Sequence, residues 1–256
     1  MEDCDLVILV FACDTVEKYR NQMKAIDNTW GRKCQEYPNI RLLYFLGEEE
    51  VEYFPQFEDS QITKYIHLKG VANDYGSASY KQWLGLKYVY EHYRPKFTIC
   101  IGTDTYINIP KLLSFLETYD PSCHLYIGGH SDIRQIGNRR YKFQSGGPGF
   151  IITYPILEKL YPSLQNIMED WIRVCSTNNV NYLINACDVG IAYYLDQPEL
   201  KATFVDGGEA FISCNYRGNP CCLNKIDMTK IISCHLMSLQ DFQDFTQILE
   251  GNNYFM

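Results

Sequence analysis

Along the first half of the chain, short apolar runs alternate with stretches whose apolar residues recur at helical spacing. "DLVILVFA" (5–12) is apolar almost throughout, the pattern of a strand covered on both faces. A helical pattern follows from about Val16 to Trp30. "IRLLYFLG" (40–47) predicts a second strand ending at a glycine turn, and the alternation in "KYIHLK" (64–69) predicts a third. Between them, "EEEVEYFPQFEDS" (48–60) is acidic and interrupted by Pro55, as expected of a solvated connection. From Ser77 to Tyr93, Tyr80, Trp83, Leu84 and Tyr88 fall at helical spacing, and Pro95 is expected to close that helix. "FTICIG" (97–102) reads as a buried strand, after which Pro110 suits the first turn of a helix reaching about Thr118.

The second half is less regular. "LYIGG" (125–129) predicts a strand, and "RQIGNRRYK" (134–142) a basic loop. "FQSGGPGFIITYPILEKL" predicts a glycine-rich turn, a short strand and a helix. No internal repeat or linker marks a boundary, so 1–256 is expected to be one domain. Continuous apolar strands alternating with helices describe a Rossmann-like α/β fold, a parallel sheet with helices on both faces. The first βα turn, "FACDTVEKYR", lacks G-x-G-x-x-G, and no G-x-x-x-x-G-K-[ST] loop occurs anywhere.

Composition narrows the partners. A net charge of −8 leaves no broad basic face to neutralise phosphates, which argues against a nucleic-acid protein. The local exception is Arg134, Arg139, Arg140 and Lys142, which suit either a small phosphorylated ligand or a solvated loop. No apolar stretch approaches the roughly 18–20 residues of a membrane helix. The start, "MEDCDLVILVFAC", is acidic before it is apolar, unlike a signal peptide. The 11 cysteines are odd in number, show no zinc spacing, and include a Cys221-Cys222 pair with no C-x-x-C partner; no N-x-[ST] sequon occurs. These signs favour reduced cysteines and a cytoplasmic location. A lumenal domain whose membrane anchor lies outside this sequence is the alternative.

Candidate chemistry starts at Asp104, a lone carboxylate just past the strand 97–102. Taken alone it is either a turn residue or a ligand at the strand end where open α/β sheets bind small molecules. Five other segments bear on the choice: "MKAIDNTWG" (23–31), "NDYGSASYKQWLGLKYVY" (73–90), "YKFQSGGPGFIIT" (141–153), "NACDVGIAYYL" (185–195) and "KIISCHLMSLQDF" (230–242). Each has a plain reading. Ile26 and Trp30 suit a core face, Gly146-Gly147 a tight turn, Asp188 a helix N-cap, and His235 a structural position after an apolar strand.

In this order, the six segments resemble the fringe and β1,3-glycosyltransferase group over nearly the whole chain, from about residue 6 to 240. The resemblance implies a GT-A fold, with a nucleotide-sugar half over about 1–120 and an acceptor half over about 121–256. It further implies an inverting, Mn²⁺- or Mg²⁺-dependent transfer of a hexose from a UDP-sugar to a glycan or glycoprotein acceptor. Thr103-Asp104 occupies the end of the family's D-D-D triplet, so Asp104 is implied as a metal ligand, with His235 in the place of the family's metal-binding histidine. Thr103, Lys81, Gly146 and Gly147 are implied at the donor, and Asp188 as the general base. The chain departs from the family at Gly102 and Thr103, where acids are usual, at Cys187 for Glu, at Ala192 for Gly, and at Asp74, shifted by one place. These departures leave two alternatives, a catalytically silent GT-A protein that binds or assembles and a retaining GT-A transferase.

Overall fold

The computed structural model describes residues 1–48, 58–74, 76–218 and 226–251. Most of the acidic connection, Tyr75 and the Cys221-Cys222 pair therefore lie outside the described residues. The first strands are β1 (Glu2–Phe11), β2 (Ile40–Leu46), β3 (Thr63–His67) and β4 (Tyr93–Gly102). β1 pairs in parallel with β2 and β4, and β2 in parallel with β3. Later in the chain come β5 (Tyr106–Ile107), β6 (Leu125–Gly128), β7 (Ser131–Ile136), β8 (Arg139–Gln144) and β9 (Phe150–Thr153). The last three are β10 (Thr203–Asp206), β11 (Phe211–Ile212) and β12 (Ser233–Cys234). The main sheet has seven strands in the order β10-β6-β9-β4-β1-β2-β3. β9 runs antiparallel to both its neighbours, so the sheet is mostly rather than wholly parallel.

The continuous apolar runs follow from burial on both faces. Leu6, Ile8 and Val10 of β1 point to one layer, and Val7 and Leu9 to the other; all five are fully buried. The first layer holds α1 (Glu17–Asn28), α2 (Trp30–Cys34), α4 (Ile109–Leu116) and α8 (Leu239–Gly251). The second holds α3 (Ala78–His92), α5 (Tyr154–Leu164), α6 (Ile167–Thr177) and α7 (Cys187–Leu195). Each Leu, Ile or Phe fully buried this way contributes about 1.5–3 kcal/mol relative to exposure.

Three expectations are corrected. The helix from Val16 to Trp30 is two helices: Thr29 leaves helical geometry, and its hydroxyl donates to the Ala25 carbonyl at 2.6 Å. Pro95 does not close α3, which ends at His92; it lies inside β4. β4 tolerates it because β9 begins pairing only at Phe97, leaving no partner strand on that side for the missing N–H. The basic segment 134–142 is a β-hairpin of β7 and β8, turning at Gly137-Asn138. Among the described residues, cysteine chemistry also differs from expectation at Cys214. Cys214 is disulfide-bonded, whereas Cys4, Cys13, Cys34, Cys100, Cys123, Cys175, Cys187 and Cys234 are free.

Candidate active site

Strands β1 and β4 are neighbours, and the chain leaves them toward opposite edges of the sheet, from β1 to β2 and from β4 to β6. Their C-terminal ends open on the crevice where doubly wound sheets take ligands. A cleft of about 440 Å³ lies there. Phe11, Ala12 and Cys13 line it after β1; Gly102, Thr103 and Asp104 line it after β4. Asp188, Gly146, Gly147, Lys81 and His235 complete the set expected from the sequence.

Asp104 and His235, 131 positions apart in the chain, meet through a small sheet of order β11-β12-β5. β12 pairs antiparallel with β5, Cys234 opposite Tyr106, so the next residue, His235, falls beside the 104–105 turn. The Met237 N–H donates to the Asp104 carbonyl at 3.0 Å, and the Trp30 indole donates to the Thr105 carbonyl at 3.2 Å. His235 Nε2 then stands 3.4 Å from Asp104 Oδ1. Burial pushes the Asp104 carboxyl up, but contact with His235 and the charges of His235 and Lys18 outweigh it and hold the group below its ordinary value.

This pair fits a divalent cation of the Mn²⁺ or Mg²⁺ type. The carboxylate oxygen suits either ion, the imidazole nitrogen favours the transition-metal ion Mn²⁺, and adjacent ligands at bonds of about 2.1 Å stand about 3 Å apart. Among the described residues, no three His, Cys, Asp or Glu side chains gather into a complete metal site. The protein's contribution would be these two donors.

Asp188 is the second residue of α7, not its N-cap, which is Ala186. Its Oδ2 accepts from the Gly146 N–H at 2.8 Å and its Oδ1 from the Val189 N–H at 2.8 Å. The carboxylate is fixed by backbone donors and keeps further lone pairs for a ligand. Gly147 allows close approach on the other side: a Cβ there would lie 2.5 Å from His235 Nδ1. Its carbonyl accepts from the Thr105 hydroxyl at 2.8 Å.

Two expected donor contacts look inward. The Thr103 hydroxyl donates to Gln22 Oε1 at 2.7 Å inside the core. Lys81 is buried and donates to the Ala12 and Asp74 carbonyls at 2.7 and 2.9 Å. It clamps the end of β1 to the 74 turn, leaving one N–H for the cleft. The basic hairpin does not line the cleft. Residues not expected from the sequence do: Cys13, Lys18, Tyr19 and Asn185, with Asp74 despite its shifted position. Three of these follow β1, and the rule that ligands gather past parallel strand ends would have marked them.

A Fringe-like family profile matches residues 4–187, which includes Lys81, Asp104, Gly146 and Gly147 and stops just before Asp188. No curated protein sequence matches the chain. Among solved structures, a glycosyltransferase involved in glycosylation of the major capsid of the virus PBCV-1 is similar in fold. Its TM-score is 0.50 at 13% identity, covering 95% of this chain and 99% of that one. The apo form of the glycosyltransferase GlyE from Streptococcus pneumoniae TIGR4 gives a TM-score of 0.55 at 11% identity. That likeness covers 94% of this chain and 60% of GlyE. The architecture is thus of the GT-A type, and family and fold together support glycosyltransferase activity. With the profile running through both strand ends that build the cleft, the chain belongs to the Fringe-like family.

Proposed function

We propose that the protein is an inverting, metal-dependent glycosyltransferase that moves a hexose from a UDP-sugar to an acceptor hydroxyl of a glycan or glycoprotein. The observation that carries this is the convergence of the Asp104–His235 pair and the Asp188 carboxylate on one cleft at the ends of β1 and β4. Asp104 and His235 would hold a divalent cation, which would supply positive charge to neutralise the charge that develops on the departing diphosphate. Gly147, lacking a Cβ, leaves the imidazole room beside Asp104, and Trp30 and Met237 fix the turn that carries Asp104.

Asp188 is the base. The acceptor O–H bond breaks toward its carboxylate as the acceptor oxygen forms a bond to the anomeric carbon. The bond from that carbon to the phosphate oxygen breaks, and UDP leaves with the electron pair. Gly146 and Val189 orient the carboxylate throughout. One displacement inverts the anomeric configuration.

The test is Asp188→Asn. Transfer should fall about 10²–10⁴-fold, the usual contribution of a general base, while UDP affinity stays within about two-fold. Full activity in that variant, or a product of retained configuration by NMR, contradicts the assignment.

A further inference from the structure

A second pocket, of about 340 Å³, shares no lining residue with the cleft. It lies between the β7–β8 hairpin, the C-terminal end of α7 and the start of β10, with Ile133, Arg140, Lys142, Leu195, Asp196 and Phe204 in its walls. Its volume is within the roughly 300–1,000 Å³ of small-molecule sites. Asp188 at one end of α7 faces the cleft and Asp196, just past the other end, faces this pocket; at 1.5 Å per residue they are about 12 Å apart along the axis.

Arg140 and Lys142 are two positions apart on β8, so both project from the same face of the hairpin, about 7 Å apart. Ile133, opposite Lys142 across the hairpin, shares that face and is 39% exposed. The acid in the pocket wall, Asp196, is already engaged: its Oδ2 accepts from Arg139 at 3.2 and 3.3 Å. Among the described residues no carboxylate pairs with Arg140 or Lys142, although the chain as a whole carries −8. Lys142 lies over the Phe204 ring at 5.4 Å, which holds its ammonium at the pocket. Two unneutralised cations attract an anion, and the apolar wall beside them favours one carried on a ring.

We propose that this pocket is a second binding site, separate from the cleft, for an anionic sugar unit. The carboxylate or sulfate of the sugar meets Arg140 and Lys142, and the C–H face of its ring rests on Ile133. The site does not depend on transfer in the cleft, so its test uses binding alone.

The full chain, without nucleotide or metal, is titrated with D-glucuronate, D-glucose and sodium sulfate, followed by NMR and calorimetry. Glucuronate should bind at low millimolar concentration or tighter, shifting signals of 133–142 and 195–204. Glucose and sulfate should each bind at least ten-fold more weakly. Arg140→Gln and Lys142→Gln should each weaken glucuronate at least ten-fold, with unchanged melting temperature because both side chains are exposed. Arg140→Lys should retain most of the affinity. The proposal is overturned if glucuronate does not bind, if the Gln variants bind it like wild type, or if sulfate binds equally well.

Discussion

At Gly147 the cleft has no space for a side chain, since a Cβ would lie 2.5, 2.8 and 2.9 Å from three atoms of the His235 ring. The ring is the movable partner, and it stands only 3.4 Å from Asp104. Gly147→Ala should therefore swing the imidazole off Asp104 and weaken Mn²⁺ affinity at least ten-fold, read by calorimetry or paramagnetic relaxation, while the fold melts within a few degrees of wild type. Unchanged Mn²⁺ affinity would show that His235 is not a ligand. At this scale the sequence carried residue identities without their bond partners. Asp104, His235 and Asp188 were legible because the resemblance placed them. The inward turns of Thr103 and Lys81 were not, since whether a hydroxyl or ammonium meets a ligand or a backbone carbonyl depends on tertiary neighbours.

The elements that bring His235 to Asp104 are two-residue strands, too short to leave a periodic pattern, and no expectation of them was possible. The hairpin was different. Its turn, Gly137-Asn138 with Gly137 at φ +57°, is a two-residue hairpin signal, but the polar and exposed residues of β7 hid the strand beside it. α8 carries a sequence signature of its own in "SLQD" (238–241). The Asp241 N–H donates to Ser238 Oγ at 3.2 Å, and the Ser238 N–H and hydroxyl donate to Asp241 Oδ2 at 2.9 and 2.6 Å, a capping box. Ser238→Ala should cost about 1 kcal/mol, or about 2–4 °C in melting temperature. Burial raises the Asp241 carboxyl, but bonds from Ser238, Arg217 and Asn215 hold it below its ordinary 3.8. A depressed carboxyl stabilises the folded state fully above the unfolded value, and the gain is lost as pH falls through the folded one. The stability difference between wild type and Ser238→Ala, followed by denaturant titration, should thus shrink below pH 3.8. A difference that grows on acidification would contradict this.

For the whole molecule, the parallel half of the sheet was the most legible part, because β1 over 6–10, β2 and β4 over 97–101 are buried on both faces and have no polar alternation to obscure them, whereas the alternating start of β4 (93–96) was missed. The reversal of β9 was not legible, since "FIIT" is equally apolar in either direction. The cleft depends on both strand ends and on the small sheet, so its ligands should stabilise the whole domain. A UDP and Mn²⁺ concentration 100-fold above the dissociation constant adds about 2.7 kcal/mol to stability. EDTA should remove that gain in a melting experiment, and a gain that survives EDTA would show that the nucleotide does not need the metal.

In the proposed mechanism, Asp104 and His235 make nucleotide binding depend on a divalent cation. Calorimetric titration of UDP into the full chain, in Mn²⁺ and again in EDTA, with Asp104→Asn and His235→Ala alongside, tests it most directly. Binding is expected in Mn²⁺, with at least ten-fold weaker binding in EDTA and the same loss in both variants even with Mn²⁺ present. UDP binding that is equal in Mn²⁺ and EDTA, or absent from the wild-type protein in both, would contradict it.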